Sequence, residues 1–141
     1  MDKGRDFLIS YQNLIALNIL ESLIRILEVT AAEVHKMFYA VMYFNLKDGV
    51  SDEEFAEKVK RYASALQAKT KGIGPFKFYS HYFFGANTRR YQLWTTFEDF
   101  HAVEREKEAK NDPEVARRLK EMNDLVEMKE HIDELVIELP L

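Results

Sequence analysis

Two kinds of hydrophobic spacing alternate along this 141-residue chain. Residues 7–20, FLISYQNLIALNIL, carry no charge, and beyond them apolar side chains recur at Leu20, Leu23, Leu27, Ala31 and Val34, with Glu21, Arg25 and Glu28 on another face. That recurrence predicts an amphipathic helix. A membrane span takes about 20 mainly apolar residues, whereas this run has 14 and includes Ser10, Gln12, Asn13 and Asn18, so no span is expected. A secretory leader is not expected either, because MDKGRD sums to zero charge and no clear A-x-A site follows. Three readings of residues 1–36 stay open: a helix packed on the domain, a helix that builds a higher oligomer, or an extension ahead of a natural start at Met37.

From residue 37 to 141 the spacing describes a second domain. FYAVMYFNL (38–46) is rich in aromatic and β-prone residues and ends at the turn signal Lys47-Asp48-Gly49, so it predicts a strand. Ser51-Asp52-Glu53-Glu54 is a capping box. The helix it opens buries Phe55, Val59, Tyr62, Ala63 and Leu66, and Gly72-Ile73-Gly74-Pro75 is expected to stop it. Strands are predicted at 76–84 and 89–97, joined by a four-residue turn, Gly85-Ala86-Asn87-Thr88. A helical stretch follows from Glu98-Asp99-Phe100 and is interrupted at Asn111-Asp112-Pro113, where Asp112 can cap and Pro113 can take the first position of a new helix. That last helix is expected to hide Val115, Leu119, Met122 and Val126. HIDELVIELP (131–140) then alternates to a proline, as a final strand would. The order is β-α-β-β-α-α-β, the split arrangement of a ferredoxin-like α+β antiparallel sheet.

Side chains alternate across a strand, so parity sorts the sheet into two faces. One face collects Phe38, Phe44, Phe76, Phe78, Tyr91, Leu93 and Phe97 and should meet the helices; Ser80 and Tyr82 fall on it by the same parity. The other collects Tyr39, Val41, Tyr43, Lys77, Tyr79, His81, Phe83, Arg90, Gln92 and Trp94. With the turn at 85–88, His81 is expected opposite Gln92 and Tyr79 opposite Trp94. Burying one aromatic ring is worth roughly 1.5–3 kcal/mol, so a wet second face would forfeit a large stabilisation. A two-fold dimer packing sheet on sheet covers it economically, because one patch serves both subunits.

Composition narrows the function. The 20 basic and 24 acidic residues leave a net charge of −4, which disfavours a nucleic-acid partner. An RNA-binding sheet is further disfavoured because RRYQLWTTF lacks the glycine pattern such sheets carry. With no cysteine there is no disulfide framework, thiolate zinc site or Cys nucleophile, and a cytoplasmic location is expected. Lys71-Gly72-Ile73-Gly74-Pro75 has neither G-x-G-x-x-G nor G-K-[ST], so it is a turn and not a phosphate cradle. Glu98 and His101 form one E-x-x-H spacing, but a two-metal bundle needs a second pair that the chain lacks. Neither a metal nor a cofactor is expected.

FYAVMYFNLKDGVSDEEF, GANTRRYQLWTTFEDF and NDPEVARRLKEM resemble the dimeric α+β barrel superfamily, the group that holds antibiotic-biosynthesis monooxygenases, EthD-like and NIPSNAP-like proteins. The resemblance spans residues 38–139. It implies a homodimer with facing sheets and a pocket either inside the barrel or between sheet and helices. Monooxygenase relatives work without metal or flavin, so cofactor-independent monooxygenation or isomerisation of a small, flat, apolar or aromatic molecule is the implied chemistry. No Asn, Trp and His set for haem cleavage stands at the matching positions.

Within the second face, His81 is the candidate acid or base. It can equally be a structural histidine satisfied by Gln92. Tyr39, Tyr43, Tyr79 and Trp94 are candidates to stack a flat ligand, or simply to pack an interface. Arg90 and Lys77 are candidate anchors for an acidic group, or rim charges. The alternative to a small-molecule protein is a non-catalytic oligomerisation module in which the second face is only a seam.

Overall fold

The computed structural model of the protein describes residues 16, 18–20, 22–23, 36–82, 85 and 88–141. The chain divides into two units, Met1–Val34 and His35–Leu141. In the first, the described residues are helical, with Ile19, Leu20 and Leu23 exposed. Leu27, Ala31 and Val34 of the expected stripe lie outside the described residues, as do Phe83 and Phe84 and part of the expected hairpin turn.

The second unit runs β1 (Phe38–Phe44), α1 (Asp52–Lys69), β2 (Ile73–Ser80), β3 (Tyr91–Phe97), α2 (Phe100–Ala109), α3 (Pro113–Asn123) and β4 (Ile132–Ile137), with a 3₁₀ turn at Met128–Glu130. The four strands form one sheet in the order β2-β3-β1-β4, and every neighbouring pair is antiparallel. This is the expected ferredoxin-like α+β sheet. Among the described residues no helix is long and apolar enough to cross a membrane.

Local chemistry sets the helix starts. Ser51 Oγ accepts from the Glu54 N–H at 3.1 Å, Asp99 Oδ1 from the Ala102 N–H at 2.8 Å, and Asp112 Oδ2 from the Glu114 and Val115 N–H groups at 3.1 and 3.2 Å. Each cap satisfies donors that the first turn leaves without a partner. Asp99 is therefore a cap and α2 begins at Phe100, which leaves Glu98 of the E-x-x-H spacing outside the helix that carries His101. Glu98 instead meets Arg105 at 3.7 Å.

Several boundaries move. Helix α1 ends at Lys69 with Thr70 as its cap, and Ile73-Gly74-Pro75 belongs to β2 rather than to a helix stop. The ladder of β2 and β3 carries an irregularity between Ile73 and Phe76 and ends at Ser80 and Tyr91. Tyr79 thus stands opposite Gln92, and Lys77 opposite Trp94, two residues away from the register that a tight 85–88 turn implies. A two-residue slip conserves parity, so both faces keep their members. Tyr82 lies beyond the strand end and is fully exposed, not part of the helix-side face.

Along β3 burial alternates strictly: Tyr91, Leu93, Thr95 and Phe97 are buried while Gln92, Trp94 and Thr96 are half-buried. The buried set faces the helices. Phe44 is fully buried with its ring 5.0 Å from Phe55, and Phe78 closes the triangle at 5.0 Å from Phe55 and 6.2 Å from Phe44. Val59, Tyr62, Leu66, Val115 and Met122 complete this core. Val126 is buried there too, but it lies past the end of α3, bridged to Leu46.

Candidate functional site

The open side of the sheet carries a groove of about 520 Å³ lined by Tyr39, Lys77, Tyr79, Ser80, His81, Gln92, Trp94 and Thr96. Its floor is β3. Trp94 stands in the middle, with Tyr39 from β1 edge-on at 5.7 Å and Tyr79 from β2 edge-on at 6.4 Å. Edge-to-face pairs of this kind fix ring orientation as well as burying area.

A directional hydrogen-bond chain crosses the floor. The Trp94 indole N–H donates to Gln92 Oε1 at 2.8 Å. An indole nitrogen can only donate, so it determines which end of the Gln92 amide is oxygen. The Gln92 amide nitrogen then faces His81 Nε2. An amide N–H has no lone pair to offer, so it donates and His81 Nε2 accepts. In this arrangement Nε2 is engaged by Gln92, and the tautomer that fits carries its hydrogen on Nδ1. The His81 backbone N–H also donates to Arg90 O at 2.6 Å, which anchors the residue one position past the strand.

Of the residues expected from sequence, Tyr39, Tyr79, His81, Gln92 and Trp94 line this groove together. Tyr43 and Arg90 do not. Tyr43 shares the same face but turns to Glu134; burial first, then the charge of Glu134 and its hydrogen bond, push the phenol up from its ordinary value. Arg90 lies 5.7 Å from the Tyr91 ring centroid, and its backbone N–H donates to Asn45 Oδ1 at 2.8 Å. Ser80 joins the lining although parity put it on the helix side, because alternation stops guiding side chains where the strand ends.

A second cavity, of about 560 Å³, opens on the helix side among Tyr62, Phe76, Leu93, Phe100, Leu119 and Met122. Tyr62 is its unusual member. Its hydroxyl is fully buried and has no hydrogen-bond partner among the described residues. Burial, and secondarily the charge of Glu106, push this phenol far above the ordinary tyrosine range, so it stays neutral. Sequence placed Tyr62 on the buried face of α1 but gave no sign that its oxygen would be stranded. Among the described residues no three His, Cys, Asp or Glu side chains gather as metal ligands would.

No protein-family model matches the chain, and no curated protein matches it in sequence. Its similarity is to solved structures. The hydroxynitrile lyase of Passiflora edulis superposes with a TM-score of 0.56 at 14% identity, over 76% of this chain and 97% of that one. A mutant of SnoaB, a cofactor-independent oxygenase from Streptomyces nogalater, gives 0.55 at 13% identity over 75% and 96%. A dimeric ferredoxin-like protein of unknown function from Thermobifida fusca gives 0.50 at 12% identity over 73% and 92%. The fold is thus the ferredoxin-like α+β fold expected from the sequence. At these identities the likeness extends to the fold alone.

Proposed function

We propose that the chain forms a two-fold homodimer with the open sheet faces turned toward each other, and that the groove over Trp94 binds a small, flat, largely apolar molecule. The observation that carries this is the groove itself: Tyr39, Tyr79 and Trp94 form ring walls around a polar line from Trp94 through Gln92 to His81. Apolar walls with a few convergent polar groups are what small-molecule sites present. Left uncovered, the same rings would sit against water, and Tyr79 is 47% exposed in the single chain. Similar structures support both halves of the reading, one being described as dimeric and others as an oxygenase and a lyase. Cofactor-independent oxygenation or isomerisation is the reaction class that follows, with His81, at the end of that polar line, as the candidate acid or base.

Trp94 is the one tryptophan of the chain, so its emission reports the groove directly. Titration with naphthols, quinols and anthrones, read by Trp94 quenching and by oxygen uptake, should show saturable binding. Absence of both binding and uptake overturns the small-molecule reading and leaves the face as a dimer seam. A second reading, favoured by the stranded Tyr62 hydroxyl, places the ligand in the helix-side cavity. It predicts binding that Tyr62→Phe weakens and Gln92→Leu does not.

A further inference from the structure

We infer that the ligand of the Trp94 groove is an aromatic anion, a flat ring system bearing one carboxylate or phenolate, with Lys77 as its counter-charge. The inference rests on the proposed groove and names the class of molecule it takes. The chain has 24 acidic residues and a net charge of −4, yet among the described residues that line the groove there is no carboxylate and the single permanent charge is Lys77. Lys77 pairs across the ladder with Trp94, and both line the groove. No ion pair is formed by Lys77 among the described residues.

The dimer makes this charge consequential. Covering the open face with a second sheet removes Lys77 from water, and an ammonium left without an anion in a dry interface is strongly disfavoured. The face's own carboxylates, Glu134 and Glu138, stand on or beside β4, at the opposite edge of the sheet from β2. Glu134 is already engaged by Tyr43. A ligand anion is then the group that meets Lys77, while its ring lies against Trp94 and Tyr79. The Ser80 and Thr96 hydroxyls can add donors to the anion, and Gln92 Oε1 is already occupied by the indole.

The test compares isosteres on the full chain. Trp94 emission is titrated with 2-naphthoate and with 2-naphthamide, which share a ring system and differ in charge. The expected result is about tenfold tighter binding of naphthoate at low salt, the size of one charge-assisted contact. That preference should shrink as salt rises. Lys77→Met should remove the preference while keeping naphthamide binding, and Lys77→Arg should restore it; the position is exposed in the single chain, and far-UV circular dichroism verifies folding. Equal affinity for acid and amide, or a preference that survives Lys77→Met, overturns this inference and leaves the groove reading standing. If neither compound perturbs Trp94, the groove reading falls and takes the inference with it.

Discussion

Removing the hydroxyl of Tyr62 should make the protein more stable. The ring is 97% buried by area, given its 3% exposure, and its oxygen has no partner among the described residues. An unsatisfied buried polar group carries a desolvation penalty of about 1–3 kcal/mol, and Tyr62→Phe lifts it while keeping the ring that packs edge-on to Phe76 at 5.8 Å. Some packing contact of the oxygen is lost, so a net gain of about 1–2 kcal/mol is expected. For a unit of this size that is about 4–8 °C in melting temperature. Urea unfolding followed by circular dichroism gives the midpoint at constant slope.

The gain should also acquire a pH signature. The folded phenol is held above its ordinary value, so it contributes fully below about pH 10, where both states are protonated. Above that, the unfolded chain releases the proton first and stability falls as pH rises. Tyr62→Phe removes this alkaline loss. A variant less stable than the parent, at neutral pH and without the altered alkaline limb, would refute the reasoning by showing that the hydroxyl is already satisfied.

Three further outcomes follow from the packing. Phe44→Ala empties the centre of a ring cluster with Phe55 and Phe78 and should cost about 3–5 kcal/mol, read from the urea midpoint. Ser51→Ala deletes the cap on Glu54 and should cost about 1 kcal/mol, whereas Ser51→Asp should cost little. The Asp112 carboxylate is held below the ordinary range, chiefly by the Val115 N–H and further by Lys69. Its contribution is present above the ordinary carboxylate value and lost as pH falls through the lowered one. Asp112→Asn, which keeps a capping oxygen, should flatten the acid limb of the stability profile.

Sequence pattern carried far here because strand alternation is a local property. Each of Tyr39, Tyr79, Gln92 and Trp94 could be assigned to the open face from parity alone, and a register slip of two residues left that assignment intact. Register itself is not local. It depends on where the hairpin loop closes, and GANT looks like a tight turn, while the β2–β3 ladder stops at Ser80 and Tyr91. That difference moved Lys77 opposite Trp94, although parity had already put it on the open face. Val126 shows the same limit on helices: its spacing from Met122 is helical, but the chain has left α3 before reaching it. The Tyr62 hydroxyl was beyond reach, because residue type announces burial of the ring and says nothing about which acceptors surround the oxygen.

Everything proposed for the groove depends on a second chain covering it, and Trp94 can report that cover without any label. Iodide quenching of its emission, measured with light scattering across a dilution series, ties the shielding of one residue to the mass of the particle. The account predicts a concentrated species of twice the 16.6 kDa chain mass with shielded Trp94 emission, and a joint loss of mass and shielding on dilution. A 16.6 kDa particle at every concentration, or a dimer whose Trp94 is quenched as readily as free indole, would contradict it.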